Sequence, residues 1–125
     1  MLKYYLLVFT GGGIGASARY WLSEAVYRFF SADFPYGNLV VNITGCFAIG
    51  LLTTLMEERF LSDPGLRIFL TIGILGGFTT FSSFSYETIA LLRDAEVLRA
   101  SVNILASVFG CLAATIFGMF IGRLV

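Results

Sequence analysis

Residues 73–87, GILGGFTTFSSFSYE, decide the fold because they place helix-weakening residues inside an apolar segment. Two adjacent glycines remove two Cβ atoms, and the two threonines that follow are β-branched and tolerate non-helical backbone. The stretch therefore predicts a helix that is broken over about residues 76–80. Within a bilayer, freed backbone groups are tolerated only where protein or a cavity supplies hydrogen-bond partners.

The rest of the chain has the composition of a membrane protein. Of its 125 residues, 58% are hydrophobic and 13% charged, and the mean hydropathy is +0.87. Soluble domains carry about 25% charged residues, whereas crossing ~30 Å of hydrocarbon takes about 20 residues of helix. Four apolar blocks are long enough and do not alternate as barrel strands would: 4–21, 39–56, 67–92 and 97–124. We expect an all-α, multi-pass membrane protein in which residues 1–125 form one four-helix transmembrane domain.

Short polar connectors separate the predicted spans. They are residues 23–34, which could be partly helical, 57–64 and 93–96. The sequence offers little to enzyme chemistry, since it has no histidine, no clustered carboxylates and no nucleotide-binding loop. The two cysteines, Cys46 and Cys111, lie in apolar runs and are interpreted as small packing residues rather than a disulfide or a metal site. We expect no enzymatic activity.

Positive charges are balanced between the two sides of the predicted bundle. With four spans, both termini lie on one side, and the basic residues divide four against four. The first side has Lys3, Arg59, Arg67 and Arg123, and the other has Arg19, Arg28, Arg93 and Arg99. The usual positive-inside bias is then absent, which favours insertion in both orientations and an antiparallel homodimer resembling an inverted repeat. The alternative is a small charge bias outside these loop assignments.

Helix 1 and helix 4 show patterns of small residues. Gly11 and Gly15 form a small-xxx-small pair that allows a second helix to approach closely. Arg19 lies near the end of the first span, and it either snorkels to the interface or faces an aqueous mouth. In helix 4, Ser107, Cys111 and Thr115 form a stripe, but serine and threonine in a membrane helix usually bond to a carbonyl of their own helix.

Helix 2 carries two asparagines four residues apart. Asn38 and Asn42 therefore share a helix face, which Cys46 and Gly50 continue. An unpaired amide in hydrocarbon is costly, so each asparagine either joins helices or offers its NH₂ group to a passing anion. Both interpretations remain open at this point.

After the predicted break, aromatic and hydroxyl residues separate onto neighbouring faces. Phe81 and Phe84 share one face, while Thr80, Ser83 and Glu87 line the next. In the simplest interpretation, the rings face lipid and the hydroxyls cap the broken backbone. Glu87 is an ionisable group within the membrane and hence a functional candidate, although it could pair with an arginine near the helix end.

These segments together resemble the signatures of the Fluc (CrcB-type) fluoride channels. The matching motifs are GGGIGASARY at 11–20, GNLVVNITG at 37–45 and GGFTTFSSFSYE at 76–87, and the resemblance extends over the whole chain. It implies a fluoride-selective channel of the cell inner membrane that exports toxic F⁻ passively. It further implies an antiparallel homodimer with two pores, with the lipid bilayer and fluoride, and no nucleic acid, as its partners.

The resemblance also implies roles for individual residues. Asn42 would be the pore amide, Phe81 and Phe84 the pore phenylalanines, and Arg19 the vestibule arginine, while the polar track would include Ser82, Ser83, Ser107 and Thr115. The backbone carbonyls of Gly76 and Thr79 would hold a structural Na⁺ at the dimer interface. The chain departs from the family pattern at Tyr36, at Asn38, where threonine is usual, and at Cys111, where serine is frequent.

The chemistry of fluoride is compatible with these roles. F⁻ is small and strongly hydrated, so a dry constriction must replace its water with amide, hydroxyl or positive ring-edge contacts. The main alternative is a small dual-topology, proton-coupled multidrug transporter. Such a protein would need an acidic residue within helix 1, whose first acid is Glu24. A structural subunit without a pore is a third hypothesis.

Overall fold

The computed structural model describes residues 1–59 and 63–125, and every regular element in these two ranges is helical. The all-helical architecture expected from the sequence is thus confirmed. The predicted connector 57–64 lies partly outside the described residues. In chain order, the elements are α1 Leu2–Tyr27, α2 Tyr36–Glu58, α3 Pro64–Arg67, a π-helix Ile68–Leu75, α4 Gly76–Phe78, α5 Phe81–Arg93 and α6 Val97–Leu124.

The first two helices extend beyond the apolar blocks that predict them. α1 has 26 residues and α2 has 23, against predicted blocks of 4–21 and 39–56. A helix need not end where the hydrocarbon ends, because water and headgroups can satisfy its last turns. Between the two helices, the ring of Tyr36 packs against Phe30 and Phe34, with centroids 5.0 and 4.9 Å apart. This aromatic cluster fixes the turn into α2.

The third predicted span is a composite of four helical pieces. Asp63 begins it as an N-cap, accepting a hydrogen bond of 3.1 Å from the Gly65 N–H, and Pro64 occupies the first turn. Eight residues of π-helix lead into the three residues of α4. Thr79 and Thr80 are extended, with φ/ψ of −84°/155° and −149°/112°, before α5 resumes. The backbone therefore leaves helical geometry for two residues midway along the segment.

Three helical segments within the described ranges are long and apolar enough to cross a membrane. They are Tyr36–Glu58, the composite Pro64–Arg93, and Val97–Leu124. α1 is also long enough, because 26 residues at about 1.5 Å each exceed the ~30 Å of hydrocarbon. Its glycines and polar residues make it less apolar than the other three, so its role as a fourth span remains a prediction.

Close backbone contacts between glycines hold α1 against the third segment. A Cβ on Gly11 would lie 2.9 Å from the Cα of Gly73, and one on Gly77 would lie 2.5 Å from the Gly12 carbonyl oxygen. Residue numbers in these pairs increase together, so α1 and the third segment run parallel. Glycine is required here because the two backbones touch with no room for a side chain.

α2 and α6 form a second parallel pair of the same kind. A Cβ on Gly50 would clash with the Thr115 carbonyl, and one on Gly118 would clash with the Phe47 carbonyl. Consecutive segments along the chain run antiparallel, so the bundle consists of two parallel pairs pointing in opposite directions. The extended residues 79–80 face α2 between these pairs, which positions the candidate site.

Candidate ion-binding site at the helix interruption

Asn42 forms a paired contact with the extended backbone of Thr80. The Thr80 N–H donates to Asn42 Oδ1 at 2.8 Å, and Asn42 Nδ2 donates to the Thr80 carbonyl at 3.0 Å. The carboxamide thus replaces the two helical partners that the extended residue lacks. This arrangement joins α2 to the third segment, as one of the two predicted interpretations requires. Since Nδ2 carries two hydrogens, it leaves the second free to donate to another acceptor.

Hydroxyl groups cap the helix that follows the interruption. Thr80 Oγ1 accepts from the Ser83 N–H at 3.2 Å and donates to Ser83 Oγ at 3.1 Å, while Ser82 Oγ lies 3.3 Å away. Thr80 is therefore the N-cap of α5 and satisfies one of its orphan donors. The predicted track residues Ser82 and Ser83 lie within this cap.

Arg19 contacts the end of α4 rather than another side chain. Its Nε donates to the carbonyl oxygen of Gly77 at 3.2 Å, from a part-buried position on α1. A cation at this point neutralises the negative C-terminal end of a helical segment and satisfies a carbonyl near the interruption. The sequence left snorkelling and a vestibule as alternatives for Arg19, and neither anticipates this contact.

A cavity of about 340 Å³ lies between α2, α5 and α6 beside the interruption. It brings together four of the residues assigned to the pore by resemblance. Its polar and aromatic lining consists of Asn42, Cys46, Thr79, Thr80, Phe81, Phe84, Ser107 and Cys111. Thr115, by contrast, is not part of this lining and donates to the Cys111 carbonyl of its own helix at 3.0 Å.

The two phenylalanine rings form one face of this cavity. Their centroids are 5.3 Å apart and their planes are inclined by 50°. Phe84 is half-buried, whereas 78% of Phe81 is exposed. Ring edges are electropositive and ring faces electronegative, so tilted rings can present edges to an anion. The single chain leaves most of the Phe81 ring uncovered.

A smaller cavity of about 210 Å³ adjoins the other side of the interruption and includes both Gly76 and Thr79 in its lining. In a continuous helix the Thr80 N–H would bond to the Gly76 carbonyl, but here it bonds to Asn42. The Gly76 carbonyl thereby loses its helical donor. Within residues 1–59 and 63–125, no three His, Cys, Asp or Glu side chains come together as metal ligands. Any cation here would be held by backbone and hydroxyl oxygens, which suit a hard ion.

Glu87 pairs with an asparagine. Asn38 Nδ2 donates to Glu87 Oε1, so this polar pair links α2 to α5. Glu87 Oε2 is buried, and none of the residues that the structure describes gives it a hydrogen bond. The carboxylate also lines a cavity of about 400 Å³ at the end of the bundle. The arginine partner considered from the sequence is not the group that contacts Glu87.

Sequence reasoning missed Asn103, which positions Ser107. Asn103 is 2% exposed, its Nδ2 donates to Thr88 Oγ1 at 3.0 Å, and its Oδ1 accepts from Ser107 Oγ at 3.4 Å. The available signal was a lone asparagine four residues before a serine in an apolar helix. That spacing places both on one face, as it does for Asn38 and Asn42.

These observations define a class: a small helical membrane protein whose polar groups gather around an interrupted helix. A family model described as "CrcB-like protein, Camphor Resistance (CrcB)" matches residues 6–119, and the chain belongs to this family. The resemblance seen in the sequence is thereby confirmed.

Relatives of similar length carry one common name. A "Fluoride-specific ion channel FluC" of Geotalea uraniireducens is 50% identical over 95% of this chain and 94% of its own. Proteins of the same name from Geobacter metallireducens and Solibacter usitatus are 52% and 47% identical, over 90% and 95% of this chain and 90% and 98% of their own. The relatives are thus named as ion channels rather than enzymes.

Proposed function

We propose that this chain forms a fluoride-selective channel that exports F⁻ from the cytoplasm by passive electrodiffusion. The observation that carries the proposal is the cavity in which Asn42, Phe81 and Phe84 meet beside the interruption. The relatives named as fluoride channels, which match nearly the whole chain, support it.

The cavity offers the kind of contacts that a small anion needs. The second N–H of Asn42 is a donor, and the rings of Phe81 and Phe84 add electropositive edges. The part of the lining that the structure describes includes no lysine or arginine. Weak, neutral contacts would allow an ion to leave as well as to enter, which conduction requires.

We further propose that two chains assemble as an antiparallel homodimer in the cell inner membrane. The balanced basic residues support insertion in both orientations. The exposed ring of Phe81 suggests that a second chain completes the lining. In this dimer, the interruption at Thr79 and Thr80 is the functional break of helix 3.

A structural Na⁺, which is not transported, belongs to the same proposal. The carbonyls of Gly76 and Thr79 would contribute to its coordination at the dimer interface, because the interruption frees backbone oxygens and leaves the Gly76 carbonyl without its helical donor. Carbonyl oxygens suit such a cation, and broken membrane helices provide comparable sites. Bound there, the ion would hold two interrupted segments together.

Fluoride efflux from proteoliposomes tests the function. Purified protein should release trapped F⁻ when a potassium ionophore balances charge, with no proton gradient and little release of Cl⁻. Efflux of a lipophilic cation driven by pH would instead identify the dual-topology multidrug transporter. If neither solute is released, the chain is a structural subunit without a pore.

Phe81→Ile should slow F⁻ efflux by at least tenfold while the protein keeps its oligomeric state in gel filtration, because an aliphatic side chain has no electropositive edge. A matched control is available in Phe9→Ile on α1, since Phe9 is 79% exposed and Phe81 is 78% exposed. We expect normal efflux from the control. Equal rates in the two variants would mean that the Phe81 ring only packs.

A further inference from the structure

The two cysteines of the chain meet in the cavity beside the interruption. Cys46 comes from α2 and Cys111 from α6, both are half-buried, and both line the cavity that holds Asn42 and Phe84. Cys46 and Cys111 thus approach the same space from neighbouring helices. Both are free thiols. The sequence suggested two small packing residues, so their position in one cavity is a finding of the structure.

The helices on either side hold the two thiols in register. One residue before Cys111, a Cβ on Gly110 would lie 3.2 Å from Ile43 Cδ1, and four residues after Cys46, Gly50 touches the Thr115 backbone. These contacts occur on both sides of the thiol pair along the parallel helices α2 and α6. Close packing of α2 against α6 therefore fixes the positions of the two cysteines.

The number and softness of the donors select the ligand. Two thiolates prefer soft ions, and within the described ranges no third His, Cys, Asp or Glu side chain joins them to make a group of three. Structural zinc usually takes four protein ligands, so this pair is a poor site for it. We propose that Cys46 and Cys111 form a binding site for a soft, two-coordinate metal ion, of which Hg²⁺ is the simplest probe.

The binding reaction balances without an oxidant. Two S–H bonds break, two S–Hg bonds form, and two protons pass to water, because thiolate is the ligating form. A divalent ion with two thiolates has no net charge. This neutrality favours Hg²⁺ in a cavity whose walls are mainly apolar, since an uncompensated charge would be costly there.

The bound ion would lie in the route that we propose for fluoride, so it should also stop conduction. This second step rests on the proposed function, whereas metal binding itself does not. Direct binding and F⁻ efflux therefore have to be measured separately.

The experiment uses purified, reduced full-length protein in detergent and in liposomes. The amount of mercury bound per chain is measured by elemental analysis after desalting. The affinity for Hg²⁺ is measured by competition with a soluble dithiol, and F⁻ efflux is measured before and after addition of HgCl₂. Wild-type protein should bind one Hg²⁺ per chain and lose both reactive thiols. Cys46→Ser and Cys111→Ser should each weaken Hg²⁺ binding by at least about 100-fold. Removing a group that only supports a metal ligand weakens binding by about 10- to 100-fold, so a loss at or above this limit indicates that the cysteine itself is a ligand.

The outcomes separate the two claims. One Hg²⁺ per chain together with blocked efflux, reversed by excess dithiol, supports both the site and the route. One Hg²⁺ per chain with unchanged efflux supports the site and removes this cavity from the fluoride route. Two Hg²⁺ per wild-type chain, or single variants that bind as tightly as wild type, would show independent thiols and overturn the site.

Discussion

At the scale of single residues, the interruption depends on one carboxamide. Asn42 supplies both an acceptor and a donor to Thr80, at 2.8 and 3.0 Å, where the backbone has left helical geometry. In a membrane no water is at hand to replace these bonds, so a structure that opens its own helix must provide them from a neighbouring one. The same side chain can still offer its second N–H to an ion.

Asn42→Ala should therefore destabilise the protein as well as slow efflux. It leaves one N–H and one C=O of Thr80 without partners, at a cost of about 1–3 kcal/mol each. We expect a clear loss of thermal stability in detergent, measured by the temperature at which the protein leaves its gel-filtration peak. Thr44→Ala is the control, because the Thr44 hydroxyl donates to carbonyls of its own helix at Val40 and Val41. A loss no larger than in the control would contradict the structural role of the pairing.

Spacing along the chain predicted which residues could share a face, but not which partners they meet. The four-residue spacing that relates Asn42 to Cys46 places both on one wall of the cavity. The break was predicted, but the sequence did not show which side chains would meet its freed backbone groups, so the backbone partners of Asn42 and Arg19 come from the structure alone. Asn38 shows the same limit, since the acid that it contacts lies 49 residues away in the chain.

At the scale of helices, glycines decide which pairs can touch. Gly11 and Gly15 bring α1 into backbone contact with the third segment, and Gly50 and Gly118 do the same for α2 and α6. Lipid is as apolar as the side chains, so close packing rather than hydrophobic exclusion joins such helices. The small-xxx-small pattern of helix 1 was visible in the sequence, whereas its register against the third segment was not.

Two glycines of α1 give a sharp comparison. A Cβ on Gly15 would clash with the Ile74 carbonyl, while one on Gly13 would meet nothing within 4 Å. Gly15→Ala should destabilise the fold by about 1–3 kcal/mol or more. Gly13→Ala should be neutral or stabilising by up to about 1 kcal/mol, since alanine favours helix. Thermal unfolding of both variants checks this, and equal effects would mean that the α1 seam is wrongly placed.

The helix boundaries show where sequence patterns lose information. Apolar runs identify the part of a helix that suits hydrocarbon, so α1 and α2 extend past the blocks 4–21 and 39–56. The π-helix Ile68–Leu75 has no sequence signal of its own, because a continuous apolar run does not reveal its turn size. Glycine and β-branched residues indicated where the third segment weakens, but not that the extended backbone is confined to Thr79 and Thr80.

At the scale of the whole molecule, the chain has almost no interior of its own. Among the described residues, only Val41 and Asn103 are large side chains that are fully buried, while many large apolar side chains on α1 and α6 are exposed. Such a surface suits lipid and, in our proposal, a second copy in the opposite orientation. In that case the dimer can form only if the two copies insert into the membrane in opposite orientations.

Shifting the charge balance should fix the orientation and remove function. Arg93→Gln with Arg99→Gln, and separately Arg67→Gln with Arg123→Gln, each change the tally of basic residues from four against four to four against two. We expect each double variant alone to give no F⁻ efflux, and co-expression of both to restore it.

The control takes one residue from each side, Arg93→Gln with Arg67→Gln, and should keep normal efflux. Reporter fusions at the C-terminus would record the orientation of every variant. Full efflux from either biased variant alone would contradict the antiparallel assembly.

The parallel pairing of α1 with the third segment has a consequence for biosynthesis. α1 is the least apolar of the long helices, and the segment that covers its glycines ends at Phe78, 51 residues after Tyr27. At about 5–20 residues per second, a ribosome needs ~3–10 s to make that stretch. During that interval α2 can already pack against the end of α1 at Gly37, but the glycine face of α1 stays uncovered until the third segment emerges.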